Sequence, residues 1–212
     1  MYINFDALTP SQRYFAMVQS IVPRPIAWVL TSNAPNGEAQ PSYNLAPFSF
    51  FTAVCSDPPL LMFSAGKKAT GDEAGQVKDT CRNIQEHKQF VLHIASTDML
   101  DAVNDSAATL NHGISEVEAL GLKTVAFEGS ELPRLANCAI AIACSLYRID
   151  EIGNTPQAVI YGQINTLYVD DAIITPSEQR LIIDGKKLDP LARLGGNYYG
   201  NVGDLLIADR PK

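Results

Sequence analysis

Short hydrophobic runs bounded by turn residues dominate the chain, and they predict strands more often than helices. Runs rich in branched and aromatic residues predict strands at 26–31, 60–64, 90–95, 138–149 and 158–169. Another strand is predicted to return through 40–51, broken near Pro47, because proline cannot donate a hydrogen bond within a sheet. These strands follow one another in hairpin-like pairs and do not alternate with helices. The pattern therefore predicts an antiparallel barrel with a few helices outside it.

Capping and turn residues place the predicted helices and one hairpin. Tyr14, Phe15 and Val18 have helical spacing after Thr9-Pro10, which predicts a short helix or an arm. Further helices are predicted at 80–87 with Asp79 as N-cap, from Ser96 or Thr97 to Ala108, and at 115–120 before Gly121. Asn36-Gly37 predicts a hairpin turn after the first strand, and the turn 153–156 is predicted to join the last two long strands.

Length and composition indicate one globular domain, 1–212, with its core at about 20–200. The chain has 212 residues, of which 46% are hydrophobic and 18% charged. No apolar run reaches the ~18 residues of a membrane span, and no basic segment precedes an apolar stretch at the N-terminus. We therefore expect a cytoplasmic protein that does not bind a membrane.

The net charge of −7 argues against nucleic-acid binding, which needs a basic surface. It leaves room for an anionic cofactor, since a local site needs only one or two cations and some backbone amides.

Cysteines and histidines give little support for a metal centre. The four cysteines form no C-x-x-C pair and are expected to be small buried hydrophobes. Cys55 is a candidate reactive thiol because, of the four, it is nearest to the candidate loop within 40–59. His112 and Glu116 are four residues apart, but a single such pair does not make a site. There is no G-x-S-x-G elbow, and Asp101 with Asp105 is expected to be a solvated helix face, so a hydrolase is poorly supported.

The segment VKDTCRNI, residues 77–84, contains a candidate anion site. Lys78 supplies a charge and Thr80 a hydroxyl, while the start of a helix supplies free amides and a positive dipole end. Together these groups can hold a phosphate. The alternative is a capped surface helix with an exposed lysine.

The segment PSYNLAPFSFF, residues 41–51, contains a candidate platform for a flat ring. Asn44 and the backbone at Leu45 and Ala46 can meet the polar edge of a flavin, and Ser42 and Ser49 can reach its chain. The alternative is a bulged strand with ordinary core aromatics.

Outside these two segments, Arg24 lies between two prolines, where it can pair with an anion or remain in solvent at the start of the strand. Trp28 is expected in the core. Arg193, Tyr198 and Tyr199 in the glycine-rich tail can close over a site or pack at a subunit interface.

Several segments in a fixed order carry a resemblance to a known family. RPIAWVLTSN, then NLAPFSFFTAVCSDPPLLMFS, then KDTCRNI followed by FVLHIA, resemble the flavin reductase-like family of FMN-binding split-barrel proteins. That group includes reductase components of two-component monooxygenases, such as the nitrilotriacetate monooxygenase component. The resemblance covers almost the whole chain, and several motifs together are more specific than one.

The resemblance implies a mainly β Greek-key split barrel with peripheral helices, a homodimer, and FMN bound near the dimer interface. Arg24, Pro25, Ile26 and Ala27 would line the flavin ring; Ser42, Asn44, Leu45, Ala46 and Ser49 would hold its edge and chain; Lys78, Thr80 and Asn83 would hold the phosphate; and Arg193 would belong to a tail that approaches the site. The sequence departs from the family pattern at Ala143-Cys144 and at Leu167-Tyr168.

The expected activity is hydride transfer from NAD(P)H to FMN, with reduced FMN passed to a partner oxygenase. The cofactor carries this chemistry, so no catalytic side chain is assigned. Two alternatives stay open: a flavoprotein oxidase or oxygenase that acts directly on a small organic substrate, and a non-catalytic FMN electron carrier. No dinucleotide fingerprint indicates whether NADH or NADPH is used.

Overall fold

The computed structural model describes residues 1–33, 41–68, 71–154, 157–208 and 211. The fourteen strands that it describes are β1 (Arg24–Pro25), β2 (Ala27–Ser32), β3 (Tyr43–Phe48), β4 (Phe51–Ser56), β5 (Pro59–Ala65), β6 (Gln89–Ile94), β7 (Thr124–Val125), β8 (Arg134–Leu135), β9 (Ile140–Ile152), β10 (Gln157–Val169), β11 (Ile174–Thr175), β12 (Ile182–Ile183), β13 (Ala192–Arg193) and β14 (Tyr199–Gly200). The α-helices in the same ranges are α1 (Pro10–Ser20), α2 (Asp79–His87), α3 (Leu100–Asp105), α4 (Glu116–Ala119) and α5 (Gly185–Leu188). The predicted Asn36-Gly37 turn, Gln40 and Thr155-Pro156 lie outside the described residues.

Seven antiparallel strands form the main sheet, in the order β3-β2-β6-β9-β10-β5-β4. Its two edge strands, β3 and β4, are consecutive in the chain and separated only by Ser49 and Phe50. The sheet therefore curls until its two edges approach each other, and the predicted antiparallel barrel with peripheral helices is confirmed. None of the helices in the described ranges is long and apolar enough to cross a membrane.

Hydrophobic side chains pack on both faces of this sheet. The barrel interior contains Phe63 and Phe90, whose rings meet edge to face with centroids 5.7 Å apart, and α2 adds Ile84 to it. The outer face carries Trp28 and Leu45, both fully buried, beneath α3, α4 and the short strands β7 and β8. Trp28 is thus a core residue, as expected, and its indole Nε1 donates to Ser106 Oγ at 2.9 Å.

Pro47 does not interrupt its strand, which corrects the expectation of a break there. β3 continues from Tyr43 to Phe48, with Pro47 opposite Trp28 of β2. The backbone groups of alternate residues in an edge strand point away from the sheet, and Leu45 N donates outward to Glu116. Pro47, two residues later, faces the same open edge, where no strand requires its missing N–H.

The helices begin close to where the capping residues placed them. Thr9 and Gln12 form a capping box at α1, and Ser115 accepts from Glu118 N at the start of α4. The helix predicted from residue 96 or 97 to 108 is shorter, with a 3₁₀ turn at Thr97–Met99 followed by α3, which ends at Asp105. Three of the cysteines are buried, as expected, whereas Cys55 is exposed on β4.

Buried His93 fastens β6 to its neighbours on the outer face. Leu135 N donates to His93 Nε2 at 3.0 Å, so the ring proton is on Nδ1, which donates to Trp28 O at 3.2 Å. Complete burial lowers the pKa of His93 to about 4, because an imidazolium there would lose its hydration. This histidine has a structural role and lies outside the candidate site.

Candidate functional site

A polar pocket lies where β3, the start of α2 and the segment after α3 meet. Its wall includes four of the residues singled out in the sequence, namely Asn44, Ala46, Lys78 and Thr80. The rest of the wall is formed by Pro47, Lys68, Asp79, Ser106, Ala107, Ala108, Thr109, Leu110 and Glu116. The structure therefore brings the two candidate segments, 41–51 and 77–84, to one place.

The N-terminus of α2 opens toward this pocket without a side-chain cap. The N-cap residue is Lys78, and no side chain among the described residues accepts from the first amides of the helix. This corrects the expectation that Asp79 is the N-cap, since Asp79 is the first helical residue and its carboxylate points elsewhere. The first amides of a helix are donors without intrahelical partners, and they favour an anion.

Asp79 belongs to a group of charged side chains behind the pocket. Lys68 Nζ lies 2.5 Å from Glu73 Oε2 and 3.2 Å from Asp79 Oδ1. His112 Nδ1 lies 2.9 Å from the same Asp79 oxygen. Lys68 is 6% exposed, and these two carboxylates balance its buried charge. The group holds the start of α2 against Lys68 and Glu73 on one side and against His112 on the other.

Lys78, in contrast, has no anionic partner among the described residues. No described carboxylate lies within ion-pair distance of its ammonium group. Its Nζ lies 5.3 Å from the centroid of the Phe48 ring. Partial burial lowers the pKa of Lys78, because the charged form loses hydration. A half-buried cation beside free helix amides is the arrangement that an anionic ligand would complete.

A buried polar network connects β3 to α2 beneath the pocket. Asn44 Nδ2 donates to Thr80 Oγ1 at 2.8 Å and to Thr31 Oγ1 at 3.3 Å. Asn83 Nδ2 donates to Thr31 Oγ1 at 3.1 Å and to Asn33 Oδ1 at 3.2 Å. The buried Oδ1 atom of Asn83 has no donor within the described part of the chain. The network holds Asn44 and Thr80 in the wall of the pocket, and among the described residues it leaves Asn83 Oδ1 without a donor.

Glu116 is a pocket residue that the sequence did not reveal. It is 6% exposed at the first position of α4, and its Oε2 accepts from Leu45 N at 2.9 Å. Burial raises the pKa of Glu116 to about 7, although the bond from Leu45 N opposes this shift. The sequence shows only that Glu116 is four residues from His112. The burial of Glu116 depends on how α4 docks against β3.

A second groove adjoins the polar pocket and shares Pro47 and Lys78 with it. Aromatic side chains form much of its wall, with Tyr14 and Phe50 6.4 Å apart between ring centroids and Phe48 deeper in the barrel. Its other wall residues are Ser49, Ser64, Gly66, Lys67 and Gln157. A groove with three aromatic side chains thus continues directly from the pocket that contains Lys78.

Arg24 lies near this groove, but its guanidinium is occupied by backbone carbonyls. Its Nη1 donates to Val18 O and to Ile21 O at 2.6 Å each, and its Nη2 donates to Leu194 O. Only its Nε points to a site residue, Ser49 Oγ, at 3.4 Å. Arg24 therefore fastens the end of α1 and the tail beside the groove.

The remaining predicted residues have different surroundings. Ser42 Oγ accepts from Asn33 Nδ2 at 3.0 Å, at the rim of the polar network. The side chains of Leu45, Ile26 and Ala27 are buried in the two cores, and Pro25 is exposed. Arg193 pairs with Arg24 across β1 and β13, but its guanidinium bonds Tyr198 O and Gly196 O of its own loop and stacks 4.4 Å from the Tyr199 ring centroid.

Comparison with known proteins defines the class of this fold and site. The family model described as "Flavin reductase like domain" matches residues 18–191, and the chain belongs to the flavin reductase-like family. An uncharacterized protein of Halalkalibacterium halodurans is 34% identical over 215 residues, covering 100% of this chain and 97% of that protein.

Two solved structures are similar over nearly their whole length. Nitrilotriacetate monooxygenase component B from Bacillus cereus has a TM-score of 0.85 and 29% identity, with 98% of each chain covered. Pseudomonas fluorescens 2-nitrobenzoate 2-nitroreductase has a TM-score of 0.84 and 28% identity, with 100% of this chain and 96% of that chain covered. The split-barrel fold implied by the sequence motifs is therefore confirmed, and the chain is a flavin reductase-like protein.

Proposed function

We propose that this protein binds FMN in the polar pocket and the adjoining groove, and that it reduces the flavin with NAD(P)H. The observation that carries the proposal is half-buried Lys78 at the N-terminus of α2, where the described residues supply neither an ion-pair partner for its ammonium group nor a side-chain cap for the helix. Asn44, bonded to Thr80, fixes this anion-binding end against β3. Both features fit the terminal phosphate of FMN.

The aromatic groove fits the other end of the same ligand. A flavin ring is flat and apolar on its faces, and Pro47, Phe48 and Phe50 offer surfaces of that kind within reach of the Lys78 pocket. Ser49 supplies a hydroxyl there, held toward Arg24 Nε. Of the thirteen residues inferred from the family resemblance, we propose that Asn44, Ala46, Ser49, Lys78 and Thr80 contact the cofactor directly.

The other eight inferred residues are proposed to act from behind or beside these five. Asn83 and Ser42 support the polar network, while Leu45 presents its N–H to Glu116. Arg24 and Arg193 shape the groove through the carbonyls that they bind. Pro25, Ile26 and Ala27 carry the chain from the groove into β2.

Bound FMN would supply the redox chemistry, accepting a hydride from the nicotinamide. The protein's part is to hold the phosphate, orient the ring and exclude water from one of its faces. Such work requires no catalytic side chain, so none is assigned. Reduced FMN would then pass to a partner oxygenase, in line with the similarity to nitrilotriacetate monooxygenase component B.

Anaerobic mixing tests the proposed activity. The FMN-loaded protein is mixed separately with NADH and with NADPH, and the flavin absorption band is followed. Bleaching with either nicotinamide supports the proposal. Binding of FMN with no bleaching by either would contradict it and would indicate a non-catalytic electron carrier.

A second candidate function is reduction of a small organic substrate by the flavoprotein itself. It is favoured by the 28% identity to a 2-nitroreductase across the whole chain. A protein of this kind would retain FMN through gel filtration and form product without a partner protein. A reductase that supplies free flavin would exchange its FMN readily instead.

We further propose that the protein is a homodimer whose interface covers the aromatic groove. Tyr14 and Phe15 on α1 are 51% and 55% exposed, their rings meet edge to face, and the Tyr14 ring also lies 6.4 Å from that of exposed Phe50. Contiguous apolar surface of this kind favours association with a second copy. Sedimentation equilibrium tests this: a dimer that dissociates in Phe15→Glu supports it, and a wild-type monomer contradicts it.

A further inference from the structure

Glu116 is a buried carboxyl group that fastens α4 to the open edge of β3. Its Oε2 accepts from Leu45 N at 2.9 Å, and the adjacent Ser115 Oγ donates to Tyr43 O at 2.7 Å. These two bonds continue the hydrogen bonding of the sheet beyond its last strand. They also hold Glu116 in the wall of the pocket that contains Lys78 and Thr80.

The charged groups around Glu116 do not neutralise it. Lys68, a buried cation on the neighbouring loop, lowers the pKa of Glu116, but it already pairs with Glu73 and Asp79. His112 is bonded to Asp79, and that carboxylate raises the pKa of Glu116 further. Lys78, at the start of α2, lines the same pocket.

A phosphate in this pocket would add a second negative charge close to the carboxyl group. Two anions in one partly desolvated space repel each other, which favours the neutral form of the weaker acid. Binding of one ligand and uptake of a proton are then linked, so each favours the other. The neutral carboxyl group still accepts from Leu45 N, so protonation leaves the edge of β3 in place.

We propose that Glu116 is a further residue of the flavin site, and that the pocket takes up a proton at this carboxyl group when it binds the phosphate of FMN. This inference rests on the proposed function, because FMN is the ligand that it concerns. Its consequence is an affinity for FMN that falls as Glu116 ionises. Because burial raises the pKa of Glu116 to about 7, this ionisation occurs near neutral pH.

The test compares FMN dissociation constants for the wild type and Glu116→Gln between about pH 6 and pH 8, where an ordinary glutamate is fully ionised. Glutamine keeps an acceptor for Leu45 N but cannot ionise. FMN titrates identically in both experiments, so its own phosphate cancels from the ratio of the two constants. We expect the wild type to weaken roughly tenfold relative to the variant across this range.

Glu118→Gln is the matched control, since Glu118 is exposed on the same short helix. It should follow the wild-type curve. Parallel curves for the wild type and Glu116→Gln would overturn the inference while leaving FMN binding established. Failure of FMN to bind to either protein at any pH would overturn both the inference and the proposed function.

Calorimetry on the wild type tests whether FMN binding is coupled to proton uptake even if Glu116→Gln does not fold. FMN is titrated near pH 7 in two buffers of different ionisation enthalpy, which gives the number of protons exchanged. A phosphate with a pKa of about 6 would release protons on meeting a cation, so net uptake identifies a protein group. Uptake that persists both in His112→Gln and in Lys78→Arg, whose guanidinium does not titrate, supports Glu116. Release, no exchange, or loss of uptake in either variant overturns the inference.

Discussion

Asn44 Nδ2 donates to Thr80 Oγ1 at 2.8 Å, and this bond joins residues 36 positions apart in the chain. One belongs to β3 and the other to the first turn of α2. Both side chains are nearly inaccessible, with exposures of 3% and 1%. The bond thus places the polar edge of a strand next to the N-terminus of a helix.

A double-mutant cycle on Asn44→Ala and Thr80→Ala measures the strength of this connection. Each single variant leaves a buried polar group with fewer partners, which costs about 1–3 kcal/mol. The double variant removes both groups, so its loss should be smaller than the sum by about 0.5–3 kcal/mol. Urea unfolding without flavin gives the four free energies. Strict additivity would mean that the two side chains do not interact in solution.

Lys78→Ala should weaken FMN binding by about 10- to 100-fold, because a hydrogen bond to a charged group contributes about 1.5–3 kcal/mol. The stability of the flavin-free protein should fall by no more than about 1 kcal/mol, since Lys78 has no ion-pair partner among the described residues and loses only its contact with the Phe48 ring. Quenching of FMN fluorescence measures affinity, and thermal unfolding measures stability. Lys123→Ala, at an exposed lysine outside the pocket, is the control. An unchanged affinity in Lys78→Ala would place the phosphate elsewhere.

Arg24→Lys should loosen the tail, because a single ammonium group cannot reproduce the fork of a guanidinium. Arg24 donates to carbonyls of Val18, Ile21 and Leu194, and we expect a loss of about 2–3 kcal/mol. Limited proteolysis should then cleave the 194–200 segment faster than in the wild type. Arg180→Lys, at an exposed arginine, should change neither measurement. Equal cleavage rates for all three proteins would contradict this role.

His93 should make the protein less stable in acid. Its pKa is about 4 in the folded state against an ordinary value of 6.5, so the unfolded chain binds the proton more readily. The stabilisation is fully present above pH 6.5 and is lost as the pH falls toward 4, by about 3 kcal/mol.

The difference in unfolding free energy between the wild type and His93→Gln isolates this effect. Glu116, whose pKa is raised, changes stability in the opposite direction as the pH falls, but it does so equally in both proteins. The difference should therefore shrink between pH 6.5 and 4. A difference independent of pH would show that His93 does not titrate as its burial requires.

Gly162→Ala should destabilise the barrel, because a Cβ there would overlap the Phe90 ring. Phe90 packs edge to face on Phe63 inside the barrel and has little room to move. We expect a loss of about 1–3 kcal/mol, typical of an overpacked core. Gly203→Ala is the matched control, since nothing lies within 4 Å of its added Cβ. Equal melting temperatures for the two variants would contradict tight packing at Gly162.

The strands, the barrel and the candidate anion site could be inferred from the sequence because each depends on local patterns. The run FVLHIA has the composition of a buried strand, and Lys78, Thr80 and a helix start are adjacent in the chain. The effect of Pro47 on its strand could not be inferred in this way, since it depends on which edge of β3 lacks a neighbouring strand. A sequence shows a proline but not the side of the strand that lacks a partner.

Arg24 and Glu116 show what sequence reasoning could not supply. The sequence shows Arg24 only as a cation between two prolines, whereas in the structure the end of α1 and the tail provide carbonyls that occupy most of its donors. Its position beside a flavin ring stays a prediction. Glu116 looked like one member of an i, i+4 pair with His112, and its burial follows only from the docking of α4 on β3. In both cases the deciding partners are distant in the chain.

The attachment of Arg24 to Leu194 has a consequence for synthesis of the protein. The two residues are 170 positions apart, so at about 5–20 residues per second the nascent chain needs roughly 10–30 seconds to supply the second partner. Until then the end of α1 lacks its attachment to the tail, and the exposed aromatic residues of α1 have no fixed position beside the groove. The groove would accordingly be complete only after residue 194 has been synthesised, so a cofactor that binds there would be loaded after that point.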